Sequence, residues 1–200
     1  MICYLIRHGK DDETIRGGWS KASLSDEGRL QAINLAKIIR ESELMIDKLF
    51  SSDLPRAIET AKPIAKILNL ETNLKPEFRE TNNGLLAGMP HELASKKYPG
   101  LFWSTLGWDE PYPQGESPHG FYKRIKTAWE EFSIEILKEN KNVILVTHNG
   151  VINVIFSLIE NRPFSNKSNM EKVPHATIVP LESTFEGGGH LWSKSTPKQL

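Results

Sequence analysis

Two apolar runs, each halted by a histidine and a glycine, leave this chain few folds. Ile2 to Ile6 is unbroken and ends in Arg7, His8 and Gly9; Val143 to Val146 is followed by Thr147, His148, Asn149 and Gly150. A short continuous apolar run bounded by a breaker reads as a strand buried on both faces. Between the two runs lie amphipathic helical patterns and further short strands. That alternation predicts an α/β fold in three layers, a mostly parallel central sheet with helices on both faces.

The helical stretches announce themselves by spacing. Ser25 followed by Asp26 and Glu27 is an N-cap with first-turn acids. Ala32, Leu35, Ala36 and Ile39 then recur at i, i+3, i+4 and i+7, predicting a helix over Asp26 to Glu41. Lys48 to Ser51 reads as a strand. Asp53 and Pro55 open a second helix carrying Ala61, Ile64, Ala65 and Leu68, which Pro63 is expected to kink or break. Glu71 to Lys75 reads as a strand, Pro76 to Gly88 as a loop and Pro90 to Tyr98 as a short helix. Pro99 to Pro118 is a long loop with Phe102, Trp103, Trp108 and Tyr112, aromatics expected chiefly to pack it down. Phe121 to Ile136 forms a helical stripe, Val151 to Glu160 an apolar helix and Thr177 to Leu181 a last strand. Gly187 to Gly189 mark a turn, and the tail over 193–200 is expected to fray. The expected organisation is one domain over 1–200 with an insertion at about 90–118.

Composition narrows the partners. Twenty-five basic and twenty-five acidic residues cancel, so no global field favours nucleic acid or anionic lipid. Any basic site must be a local one. Cys3 is the single cysteine and reads as a small buried hydrophobe, consistent with a reducing compartment. The N-terminal apolar run is too short and lacks the basic flank of a signal peptide. A cytoplasmic protein with no membrane partner is the expectation, and a homodimer stays open.

The chemistry collects at three strand ends: Arg7 with His8, then Arg56, then His148. In a parallel sheet these ends face one way, where such folds bind ligands. Gly9 would let the chain turn sharply and leave room beside the imidazole. Arg56, in the first turn of its helix, opposes the helix dipole unless an anion lies between them. The helix starting near Gly150 offers free N–H groups to an anion too. Taken singly, each position reads as a solvated cap or a structural histidine; their coincidence points to a site. Two Arg and two His around one point suit a phosphate group. An unprotonated imidazole can be its nucleophile, with the guanidiniums neutralising the oxygens in flight. Glu80 or another loop acid would protonate the leaving oxygen. The six histidines show no metal-ligand spacing, and neither a nucleophile elbow nor a P-loop is present.

Six segments in order resemble the histidine phosphatase superfamily, the phosphoglycerate mutase-like proteins. They are LIRHG (Leu5 to Gly9), LSDEGRLQA (Leu24 to Ala32), SSDLPRAIETA (Ser51 to Ala61), FRETNNGLLAG (Phe78 to Gly88), PQGES (Pro113 to Ser117) with Arg124 beyond, and VTHNG (Val146 to Gly150). The resemblance implies the phosphoglycerate mutase-like fold and a phosphohistidine intermediate. It implies His8 as nucleophile, Arg7, Arg56 and His148 around the phosphate, and Glu80 as proton donor, with Glu77 nearby in the same loop. It implies no cofactor and no metal. Many relatives carry Asn a few residues after R-H-G; here Thr14 is the nearest polar candidate for substrate binding. Asn149 stands where a small residue is frequent, and would either reach the ligand or cap the helix, the cap being preferred. The expectation is a metal-independent phosphomonoester hydrolase of histidine acid phosphatase type, acting on a small phosphate ester. The alternatives are a cofactor-dependent phosphoglycerate mutase, for which the stretch Pro90 to Gln114 is short, and a non-catalytic binder of phosphorylated ligands.

Overall fold

The computed structural model describes residues 1–186 and 189–195. In chain order the elements are β1 (Ile2–Arg7), α1 (Asp26–Glu41), β2 (Lys48–Ser51), α2 (Pro55–Leu68), β3 (Thr72–Leu74), α3 (His91–Lys97), α4 (Pro118–Glu139), β4 (Val143–Thr147), α5 (Asn149–Ile159), β5 (Ile178–Glu186) and β6 (Gly189–Lys194). One six-stranded sheet has the order β3-β2-β4-β1-β5-β6. The pairs among β1 to β4 are parallel; β5 runs antiparallel to β1, and β6 to β5.

Successive side chains on the central strands enter different cores, which is why both apolar runs lack alternation. Tyr4, Ile6, Ile144 and Val146 pack with Leu35, Ala36 and Ile39 of α1 and Ala57, Ala61 and Ile64 of α2. Cys3, Leu5, Val143 and Leu145 pack with Phe121, Ile125, Trp129 and Phe132 of α4 and Val151, Ile152 and Ile155 of α5. The sheet is therefore the middle of three layers.

The first helix has the predicted bounds, and Ser25 Oγ accepts from Gly28 N at 3.1 Å. Pro63 does not break α2: the helix is continuous over 14 residues. A mid-helix proline costs about 3 kcal/mol, and burial of Ala57, Ala61 and Ile64 on the sheet offsets it. The Pro76 to Gly88 segment holds two short 3₁₀ turns. In the insertion, Leu106 and Tyr112 join Leu86 in a small core, while Trp103 meets Phe121 edge-on at 5.6 Å. These aromatics are packing groups, as expected, except that Phe102 is 42% exposed.

The C-terminal region differs from expectation. The last predicted strand extends through Glu186, and a further strand, β6, follows. Ser193 and Lys194 therefore lie in the sheet and not in a frayed tail, because pairing with β5 satisfies their backbone. Gly187, Gly188 and residues 196–200 fall outside the described residues. Among those described, no helix is long and apolar enough to cross a membrane.

Candidate active site

Strand register assembles the site. Arg7 pairs with Thr147 across β1 and β4, so His8 and His148 each follow a matched position. His8 N donates to Thr147 O at 2.9 Å. On the other side of β4, Ser51 pairs with Val146, and Ser52 N donates to Val146 O at 2.9 Å. Ser52 thus stands beside His148, and its Oγ lies 2.9 Å from His148 Nε2. The imidazole rings of His8 and His148 are 5.1 Å apart between centroids.

The His8 ring is fixed in tautomer. Its Nδ1 lies 2.7 Å from Gly9 O, and a carbonyl can only accept, so Nδ1 carries the proton. Nε2 therefore keeps its lone pair, and Arg56 Nε donates to it at 3.3 Å. His8 is buried; burial first, then the Arg56 charge, holds its pKa well below the usual histidine value. The same two causes, in the same order, depress His148. Both rings are neutral around pH 7.

Arg56 is 2% exposed, and the Arg16 to Ser20 segment holds its fork: NH2 donates to Gly18 O at 2.7 Å and NH1 to Ser20 Oγ at 3.3 Å. Arg7 donates from NH1 to Val173 O at 2.6 Å and from NH2 to His175 Nε2 at 2.8 Å. Two buried nitrogens here have no partner, Arg7 Nε and His148 Nδ1. An orphaned buried polar atom at a strand-end pocket is a place for a ligand oxygen.

Glu80 faces the same region. Its Oε1 accepts from Thr81 N and its Oε2 from Gly150 N, both at 3.0 Å. A Cβ on residue 150 would stand 2.3 Å from Glu80 Oε1, so any larger residue there would push the carboxylate from this position. Glu80, not Glu77, is the acid at the site: Glu77 lies beside Lys75, 3.9 Å away.

The chain matches the family profile described as "Histidine phosphatase superfamily (branch 1)" over residues 3–193. The chain belongs to that superfamily. A Schizosaccharomyces pombe protein named "Probable phosphatase" is 32% identical over 96% of this chain and 91% of its own length. A 2,3-bisphosphoglycerate-dependent phosphoglycerate mutase of Bartonella henselae is 25% identical over 96% and 95%. Among solved structures, the Bacillus stearothermophilus protein YhfR shares the fold with a TM-score of 0.81, at 21% identity over 100% and 97% of the two chains. The phosphoglycerate mutase-like architecture expected from the sequence is the one observed.

Against the superfamily pattern, five predicted groups converge here: Arg7, His8, Arg56, Glu80 and His148. Thr14 does not. It is exposed, and its hydroxyl donates to Asp12 at 2.6 Å, because the loop turns back on itself. Asp11 comes in instead, with Oδ2 3.4 Å from Arg56 Nε. Asn149 does not cap α5 either. It lies inside the helix, His148 being the N-cap residue, and Asn149 Oδ1 accepts from Val173 N at 3.0 Å. It fixes the segment whose Val173 carbonyl receives Arg7. The acidic group at the start of α5 is Glu80, which accepts from Gly150 N. Gly9 owes its identity to packing: a Cβ would stand 2.6 Å from Gly28 O of α1.

The sequence reading missed Asp11 and Ser52 and left His175 without a role. Ser52 was findable from the strand register. Asp11, three residues past His8, needed the turn geometry. His8, Asp11 and His175 bring donor atoms within 4.8 Å of one another, a spacing that a metal ion could use. Arg7 and Arg56 already donate to two of those ring nitrogens and crowd the space with positive charge. That charge suits an oxyanion better than a cation.

Proposed function

We propose that this superfamily member is a phosphomonoesterase acting on a small phosphate ester through a covalent phosphohistidine. The observation that carries the reading is the state of His8. Its proton is held on Nδ1 by Gly9 O, and its Nε2 lone pair opens onto the space between Arg56, Arg7 and His148. In this reading His8 Nε2 attacks phosphorus and the ester P–O bond breaks. The leaving oxygen takes a proton from Glu80. Water then attacks the phosphohistidine and gives a proton to the Glu80 carboxylate. The N–P bond breaks, and phosphate leaves with His8 neutral again. The unpaired Arg7 Nε and His148 Nδ1, with Arg56, stabilise the equatorial oxygens through the transfer. His8 needs no base before it attacks, because its depressed pKa leaves it unprotonated.

No step requires a metal, and the two guanidiniums supply the charge that a metal would. A cytoplasmic setting belongs to the same proposal, supported by Cys3 as a buried free thiol. Hydrolysis is preferred to mutase chemistry because the insertion is short and holds a single seven-residue helix. The test is a panel of phosphate esters in EDTA, wild type beside His8→Ala. Expected are metal-independent turnover and a variant slowed at least about 1,000-fold. Activity retained in His8→Ala would sink the nucleophile assignment. Rapid conversion of 3-phosphoglycerate to 2-phosphoglycerate with a bisphosphate primer, with little free phosphate, would turn the reading to a mutase.

A further inference from the structure

Beside Glu80 lies a cavity of about 460 Å³ whose walls include Arg16, His91, Phe102, Trp103 and Tyr112. Glu80 being the proposed donor to the leaving oxygen, this cavity is where the alcohol part of the substrate would sit. Arg16 is the unusual group in it. Its backbone is clamped, N to Met89 O and O from Gly88 N, both at 2.8 Å. Its guanidinium carbon lies 4.4 Å from the Phe102 ring centroid. Its Nε is buried with no partner, and among the described residues no group accepts from the guanidinium and no carboxylate lies within 4.0 Å. By contrast Arg29, Arg56, Arg79 and Arg124 each reach a carboxylate. Trp103 Nε1, on the same cavity, is a second buried donor without a partner.

A guanidinium is always charged, and leaving its donors unmet in a partly apolar cavity is costly. Stacking on Phe102 orients the fork but supplies no acceptor. Nε is the donor that lacks an acceptor in the protein, and an oxyanion reaching in from the cavity is the acceptor that matches a charged fork. Arg16 precedes Gly18 by two residues, at most about 7 Å of chain, and Gly18 O touches Arg56. Arg16, Gly18, Glu80 and Gly150 line one cavity, so an anion on Arg16 would share it with the acid proposed to protonate the leaving oxygen.

We propose that Arg16 is a specificity residue that grips a second oxyanion, a carboxylate or a second phosphoryl group, on the alcohol part of the substrate. The preferred substrates are then phosphate esters of short acidic alcohols. This inference rests on the phosphatase reading above and deepens it.

The test compares 3-phosphoglycerate and propane-1,3-diol bisphosphate with glycerol 3-phosphate, which lacks the second anion, for wild type and Arg16→Gln. p-Nitrophenyl phosphate serves as the reference ester. Arg16→Gln is expected to raise KM for whichever anionic ester is preferred by about 10- to 100-fold. KM for glycerol 3-phosphate and p-nitrophenyl phosphate should stay within about twofold, and Arg16→Lys should recover part of the loss. The arm that responds names the anion. An equal effect of Arg16→Gln on neutral and anionic esters, or no effect on either, overturns the inference. Should wild type hydrolyse none of the four esters, the phosphatase reading fails instead. The same comparison by calorimetric titration then still decides whether Arg16 selects the second anion.

Discussion

Asp11 is the residue that most alters what this pocket can do. Its carboxylate sits 3.4 Å from Arg56 Nε, on the cation that a phosphoryl group would use. Arg7, Glu13, His8 and His175 also face it. Burial raises its pKa, and Arg56 first, then Arg7, pull it back. Ionised, Asp11 competes with the substrate for Arg56; protonated, it can donate to a phosphoryl oxygen. Its ionisation therefore weakens substrate binding as pH rises. We expect KM for p-nitrophenyl phosphate to climb on the alkaline side of that titration. Asp11→Asn should flatten the climb and lower KM there by about tenfold, with little change on the acid side. Superimposable pH profiles for variant and wild type would remove Asp11 from the argument. Nothing in the sequence singled it out from Asp12 and Glu13. In the sequence Thr14 is the polar candidate for the place of the relatives' Asn, and the backward turn of the loop carries it away from the site.

Among the elements, α4 does more than cover the sheet. Arg124 donates to Glu77 O at 2.7 Å, Arg79 O at 3.0 Å and Glu80 O at 3.1 Å, and pairs with Glu116 at 2.6 Å. Trp19 Nε1 also donates to Glu80 O, at 2.7 Å. These bonds hold the Glu80 loop in place, so Arg124 is a positioning residue. Arg124→Met should lower kcat by about 10- to 100-fold with KM nearly unchanged. The Glu116 carboxylate and several carbonyls left without their donor should cost about 2–4 kcal/mol of stability. Unchanged kcat in a folded variant would show that the loop holds itself. The elements also mark how far the sequence could be read. The bounds of α1 were legible because its cap and its spacing are local. β1 and β4 were legible because both faces are apolar. β6 was not, since its residues become a strand only by pairing with β5. Asn149 was misread as a cap because its partner, Val173, lies 24 residues on. Five convergent site residues could be read from motif order, while the partners that orient them depended on tertiary contacts.

At the scale of the whole molecule, the pocket is a place where the fold gives up stability. The strand ends and loops that meet there bring Arg7, Arg56 and three histidines together around two orphaned nitrogens. Burial, then neighbouring guanidinium charge, depresses the pKa of His8 and His148, and brings His175 to about 4. In the unfolded chain these rings titrate near 6.5. Between the two values the unfolded state binds protons that the native state does not. Stability is therefore complete above about pH 6.5 and is lost as pH falls, for His175 down to about pH 4. Each histidine contributes a slope of about 1.4 kcal/mol per pH unit inside its window. Asp11 works the other way, since its raised pKa favours the native state in acid. Bound phosphate should reverse the loss, because it gives the guanidiniums a counter-charge and the orphaned nitrogens an acceptor. At 100 times its Kd it adds about 2.7 kcal/mol, which for a domain this size is roughly 5–10 °C in Tm. Thermal unfolding with and without orthophosphate, at pH 7.5 and 5.5, is the measurement. Tm without phosphate should be lower at pH 5.5, and phosphate should raise it at both. Arg56→Gln should abolish the phosphate-dependent rise, because it removes the cation shared by His8 and the pocket. A full rise in that variant would mean that phosphate binds elsewhere.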